Sequence, residues 1–113
     1  MKIAVSSMGK NIESNASDIF GRCPYFIIVE IEDNEIKKIE AIENKNINQM
    51  GGAGISTAKL IAEKDVETVI TGNIGPRALD VLNQFKIKIY SGNGMIKEVI
   101  QEFINGKLKE IKK

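Results

Sequence analysis

Apolar residues recur along this chain with two different periods. Up to about Asn44 they cluster in short runs or alternate with polar residues, the spacing of strands, and beyond it they fall three and four apart, the spacing of one helix face. Ile3, Ala4 and Val5 predict a strand over Lys2–Ser7 that Gly9 ends. Residues 25–31, dense in β-branched and aromatic side chains, predict a second strand, and 35–42 a third, joined to it by a turn at Glu32-Asp33-Asn34. The polar segments 8–22 and 44–52 read as loops. Ile55, Ala58, Ile61 and Ala62 then mark a helix over 53–64, followed by a strand over 66–71. Pro76 suits the first turn of a second helix lined by Ala78, Leu79, Leu82 and Phe85, and residues 87–90 form the next strand. Ile96, Val99, Ile100, Phe103 and Ile104 give a third helix, stopped at Asn105-Gly106. In the basic tail 107–113, Leu108 and Ile111 are candidates for a further edge strand.

This order predicts one α/β domain spanning 1–113. Short links make the first three strands an antiparallel meander, and helical crossovers make the later strands parallel to the first. The expected sheet is five-stranded and mixed, in the order 3-2-1-4-5, with only strand 2 reversed.

The topology gathers five segments at one sheet edge: 8–22, the start of the second strand, 44–52, 72–75 and 91–94. Of the ten glycines, Gly9, Gly21, Gly51, Gly52, Gly72, Gly75, Gly92 and Gly94 fall there. Open sheets bind ligands beyond the carboxyl ends of their parallel strands, so the glycines and the topology indicate the same edge.

Gly51-Gly52-Ala53-Gly54 opens the first helix, whose unpaired N–H groups and positive dipole end suit an anion. The spacing is neither the phosphate loop of nucleotide hydrolases nor the dinucleotide fingerprint. A tight loop that lets the helix pack closely is the simpler alternative. Thr71-Gly72-Asn73-Ile74-Gly75-Pro76 repeats the strand-to-helix glycine pattern, with Gly75 expected to serve backbone conformation or close approach. Arg22, one of two arginines, stands where a planar cation would hold an anion, or else forms a surface ion pair. Arg77 opens the second helix. Cys23 is either a soft metal ligand, its thiolate favoured by Arg22 and the helix N-terminus, or a small buried hydrophobe.

Composition narrows the chemistry. Sixteen basic and fifteen acidic residues leave a net charge of +1, which gives no field for gathering nucleic acid. No apolar run approaches the roughly 20 residues of a membrane span. One cysteine and no export segment point to a reducing cytoplasm. Without histidine there is no Ser-His or Cys-His nucleophile pair, and the first strand lacks the carboxylates of a magnesium-dependent nuclease, so no catalytic set is expected. A lone cysteine cannot supply four thiolates to an ordinary iron-sulfur cluster. The carboxylates of the hairpin, from Glu30 to Glu43, read as a solvated face.

Phe20-Gly21-Arg22-Cys23-Pro24-Tyr25-Phe26, with Gly52-Ala53-Gly54-Ile55, Thr71-Gly72-Asn73-Ile74-Gly75-Pro76 and Phe103-Ile104-Asn105-Gly106-Lys107-Leu108, resembles the dinitrogenase iron-molybdenum cofactor-binding family, which includes NifX-type carriers and the C-terminal domain of NifB-type proteins. The resemblance covers nearly the whole chain. It implies a ribonuclease H-like three-layer α/β/α fold, no enzymatic activity, and binding of iron-molybdenum-sulfur or related iron-sulfur clusters or their precursors. It also implies that Phe20, Gly21, Arg22 and Pro24 mark the binding loop. Ile19 stands where many members carry a histidine, and members occur in organisms without nitrogenase.

The reading that results is a non-catalytic carrier of a metal-sulfur cluster, served by a cluster-assembly partner. Its ligand-binding residues are Phe20, Gly21, Arg22, Cys23, Gly51, Gly52, Gly54, Gly72, Asn73 and Gly75, with Cys23 as the candidate metal ligand. The alternative is a small-anion or nucleotide-binding regulatory module acting through a partner such as a nucleotide hydrolase.

Overall fold

The structure, a computed structural model, describes residues 1–112. Lys113, the end of the expected tail and of the expected 1–113 domain, lies outside the described residues. The chain runs β1 (Lys2–Ser7), β2 (Tyr25–Glu32), β3 (Glu35–Glu43), α1 (Ala53–Ala62), β4 (Thr68–Thr71), α2 (Pro76–Gln84), β5 (Lys88–Ser91), α3 (Ile96–Ile104) and β6 (Lys109–Glu110).

These elements form one open sheet in the order β3-β2-β1-β4-β5-β6. β4 lies beside β1 and parallel to it, with Val5 opposite Ile70. β2 is antiparallel to both β1 and β3. The expected order of the first five strands is therefore present, but the count of five is corrected to six. After α3, Gly106 and Lys107 donate their N–H groups to Phe103 and Glu102, the paired bonds of a Schellman cap that turns the chain back. The returning segment places Glu110 opposite Tyr90 as an antiparallel edge strand. Ile111 packs against the α1–α2 side of the core and Leu108 against the α3 side.

Alternation along the strands divides the core into two layers. Ala4, Phe26, Ile28, Val69 and Ile89 face Ala58 and Ile61 of α1 and Ala78, Leu79 and Leu82 of α2. Ile3, Val5, Ile27, Val29 and Ile70 face Ile96, Val99 and Ile100 of α3. The hairpin turn carries Asp33 at φ 52° and Asn34 at φ 63°, the paired left-handed residues of a type I′ turn.

Segment 8–22 contains no regular element, yet it crosses the upper ends of β1, β4 and β5 on backbone bonds. Ser17 N–H donates to Ser6, Gly72 N–H to Ser17, Phe20 N–H to Asn73, and Ala16 N–H to Gly94. Ser6 Oγ reinforces it from below, 3.0 Å from the Ser17 carbonyl and 2.8 Å from Thr71 Oγ1. Among the described residues, no helix is long and apolar enough to cross a membrane.

Candidate functional site

α1 and α2 lie side by side on one face of the sheet, and both begin at its upper edge. They approach closely at Gly54, where a built Cβ would stand 3.4 Å from the Ala78 methyl group. Gly52 precedes α1 with φ 69°, a left-handed conformation that glycine adopts without penalty. Neither helix has a side-chain cap. A helix cannot satisfy its own first N–H groups. Those of Ala53, Gly54 and Ile55 in α1, and of Arg77 and Ala78 in α2, find no acceptor among the described residues. The first turn of α3 differs, because Ser14 and Ile12 accept the N–H groups of Ile96 and Lys97.

A cleft of about 400 Å³ opens between these two helix ends. Gly52 to Ile55 form one wall and Gly75 to Ala78 the other, while Ile19, Gly21 and Arg22 close the third side. Both arginines of the chain border it, and among the described residues no carboxylate does. Ile19, at the position where a histidine was noted as common, presents an exposed apolar side chain at the mouth.

The third wall is fixed by close contact and hydrogen bonds. At Gly21 an added Cβ would lie 2.9 Å from Gly54 Cα and 3.0 Å from Gly54 N, so only glycine fits against the first turn of α1. Asn44, buried just past β3, donates through Nδ2 to the carbonyls of Cys23 at 2.8 Å and Gly21 at 3.3 Å. Thr57 Oγ1 lies 3.3 Å from both the Gly21 carbonyl and Asn44 Oδ1. Arg22 Nη1 donates to the carbonyls of Ile47 and Gln49, each at 2.8 Å, and so clamps segment 44–52. Its other guanidinium N–H groups make no bond among the described residues.

Five of the ten expected ligand residues border the cleft: Gly21, Arg22, Gly52, Gly54 and Gly75. The others lie elsewhere. Phe20 is buried and packs edge-to-face on Phe26, with ring centroids 5.4 Å apart. Gly72 abuts Asp18, Asn73 accepts the Phe20 N–H, and Gly51 is exposed beside the cleft. Gly75 has an ordinary extended backbone with open space around it, so the expected conformational or close-packing need for glycine is corrected there.

Cys23 lies below the cleft, in the core. Its side chain is buried among core residues and its thiol donates to the Phe20 carbonyl at 3.3 Å. Burial pushes the thiol pKa up to about 12, against the small lowering effect of neighbouring hydrogen bonds. Of the two roles expected for Cys23, this burial matches the small buried hydrophobe, and desolvation disfavours the thiolate that a metal ligand would need. Among the described residues no three histidine, cysteine, aspartate or glutamate side chains gather as a metal site.

Sequence reasoning missed Asn44 and Thr57, whose partners are set by tertiary structure. It undervalued Arg77, although Gly75-Pro76-Arg77 already placed a cation at a helix start. Ile55 was expected on the core stripe and instead borders the cleft, because α1 turns Thr57 inward towards Asn44.

The comparisons with known proteins agree with this architecture. An uncharacterised protein of Methanocaldococcus jannaschii is 43% identical over 112 residues, covering 97% of this chain and 95% of its own length. The apo form of the orange protein from Desulfovibrio gigas superposes with a TM-score of 0.90 at 25% identity, covering 97% of this chain and 92% of that one. A Thermotoga protein described as a NifB candidate gives 0.82 at 34% identity, covering 96% and 91%. Residues 1–106 match the family described as dinitrogenase iron-molybdenum cofactor, and the chain belongs to that family.

Proposed function

We propose that this protein is a non-catalytic carrier of an anionic metal-sulfur cluster or cluster precursor, held in the cleft between the N-termini of α1 and α2. The observation that carries the reading is the wall chemistry. Two uncapped helix ends and both arginines border one cavity that no carboxylate of the described residues lines. Each helix end attracts a nearby anion by about 0.3–1 kcal/mol when exposed, and more where water is partly excluded. The donor set suits a cluster that brings its own sulfide ligands, because Cys23 is buried where desolvation disfavours its thiolate, the chain has no histidine, and no described carboxylate borders the cleft. The cargo is then bound through hydrogen bonds from N–H groups to sulfur and through charge. Family membership, and the orange protein's existence in a named apo form, support the same reading. The strand order supports grouping the fold with ribonuclease H-like domains, and the lone buried cysteine supports a reducing cytoplasm as its location. A cluster-assembly protein is the expected partner.

Anaerobic reconstitution of the full chain with iron, molybdate and sulfide, followed by desalting, tests the proposal. The expected result is visible charge-transfer absorption with metal retained near stoichiometry by elemental analysis for iron, molybdenum and copper. Protein that retains neither colour nor metal refutes it. The same cleft also suits phosphate groups, so nucleotides and inorganic phosphate are run in parallel by thermal shift. Stabilisation by these without metal retention would establish the regulatory alternative.

A further inference from the structure

The buried Asn44–Thr57 pair serves the cleft as well as the core. Asn44 uses all of its hydrogen-bonding groups locally: Nδ2 on the Gly21 and Cys23 carbonyls, and Oδ1 towards the Asn46 N–H at 3.1 Å and the Thr57 hydroxyl. The Thr57 proton is shared between Asn44 Oδ1 and the Gly21 carbonyl. The Gly21 oxygen is thereby drawn inward by two side chains beneath the loop. No peptide among the described residues is cis, and a trans peptide carries its N–H opposite its C=O. The Arg22 N–H accordingly points away from Asn44 and Thr57, and it has no acceptor among the described residues. Gly21 and Arg22 both border the cleft.

We infer that Asn44 and Thr57 are positioning residues that lock the Gly21–Arg22 peptide with its N–H towards the cleft, making it a third backbone donor for the bound anion beside the first turns of α1 and α2. The opposite peptide orientation would present a carbonyl oxygen to the ligand and repel it. The inference rests on the anion-binding reading of the cleft. It adds that the ligand specificity of the third wall is set from the buried side, by two residues that never touch ligand.

Amide-resolved NMR on the full chain tests this in two stages. Without ligand, the Arg22 amide is expected to exchange with solvent as fast as an unbonded amide, while the bonded Phe20 amide is protected. A protected Arg22 amide overturns the inference whatever the cleft binds. With tetrathiomolybdate, and separately inorganic phosphate, as probes, the amides of Ala53, Gly54 and Arg22 are expected to shift together. If Ala53 and Gly54 shift and Arg22 does not, the positioning inference fails while the carrier reading stands. If none shifts, both fail.

Thr57→Val removes one lock with little change in volume and is expected to weaken probe binding about tenfold, the size of one hydrogen bond to a charged group. Thr57→Ser keeps the hydroxyl and is expected to stay within about twofold of wild type. Asn44→Asp replaces the donor to both carbonyls with a carboxylate, and its expected signature is loss of the Arg22 amide shift. Thr57→Val protein that binds the probe like wild type, with the Arg22 shift intact, overturns the role of the pair.

Discussion

Gly21→Ala is the sharpest perturbation of the cleft, because the new methyl group would meet backbone and not a movable side chain. Its Cβ would sit 2.9 Å from Gly54 Cα and 3.0 Å from Gly54 N, well short of the 3.4–4 Å of ordinary contact. Relief requires the loop and α1 to separate by about half an ångström or more, and overpacking of this kind costs about 1–3 kcal/mol. Restricting the unfolded chain returns about 0.4–1 kcal/mol, since alanine has fewer conformations to lose than glycine. The net destabilisation is then about 1–2 kcal/mol, which for a domain of this size lowers Tm by roughly 5–10 °C. Loop displacement also stretches the bonds from Asn44 and Thr57 to the Gly21 carbonyl, so binding suffers together with stability. Thermal denaturation followed by circular dichroism, paired with a tetrathiomolybdate titration, measures both. Gly75→Ala is the control, since that position has open space and an ordinary φ of −73°, and it should melt at or a few degrees above wild type. A Gly21→Ala protein within about 2 °C of wild type and of equal affinity would refute the reasoning.

Gly72→Ala, whose Cβ would lie 2.7 Å from Asp18 Cα, should destabilise by a similar about 1–3 kcal/mol in the same melting assay, through release of segment 8–22 from β4. The Cys23 thiol should resist Ellman's reagent in native protein at pH 8 and react only on unfolding. Because its folded pKa of about 12 lies above the unfolded value near 9.0, the folded state holds the extra proton between them, so its contribution to stability is complete below pH 9 and is lost as pH rises. The slope is about 1.4 kcal/mol per pH unit, read as the difference between wild-type and Cys23→Ala denaturant midpoints. Arg22→Lys keeps the charge, but its side chain is one bond shorter than the one that brings Nη1 to the Ile47 and Gln49 carbonyls, so amides of segment 44–52 should exchange faster while Tm changes little. Replacing Glu32 and Glu35 by glutamine should leave probe affinity unchanged, since both flank the hairpin turn at the sheet edge opposite the cleft; a several-fold change in affinity would count against the assigned site.

The parts of the fold legible in the sequence were those set by local pattern. The Asp33-Asn34 turn, Pro76 at the start of α2, the Asn105-Gly106 stop and the two periodicities each act within a few residues, and together they fixed the neighbours of β1. The sixth strand was only hinted at, because two paired residues leave almost no periodic signal and depend on the α3 cap for their position. The edge that carries the cleft followed from strand direction alone. Which glycines border it did not, since Gly21 and Gly72 are both sterically required but face different neighbours, one a helix and the other a loop. Cys23 illustrates the same limit in electrostatics. Its sequence neighbours include a cation and a nearby helix start, whereas its pKa is governed by the core that closes over it from Phe20, Phe26 and α1.

The path of segment 8–22 has a consequence for the order in which the molecule assembles. Its bonds join Ser17 to Gly72 and Ala16 to Gly94, so it cannot settle until β4 has docked on β1 and β5 on β4. Contacts this distant in sequence close late, after the entropy of the intervening chain has been lost. The third wall of the cleft therefore belongs to the last part of the structure to form and the first to open. Substitutions at Gly21, Gly72 or Ser17 should then accelerate unfolding while leaving the refolding rate nearly unchanged, the kinetic signature of a site absent from the transition state. A bound anion would act on the same limb, slowing escape from the native state without hastening arrival.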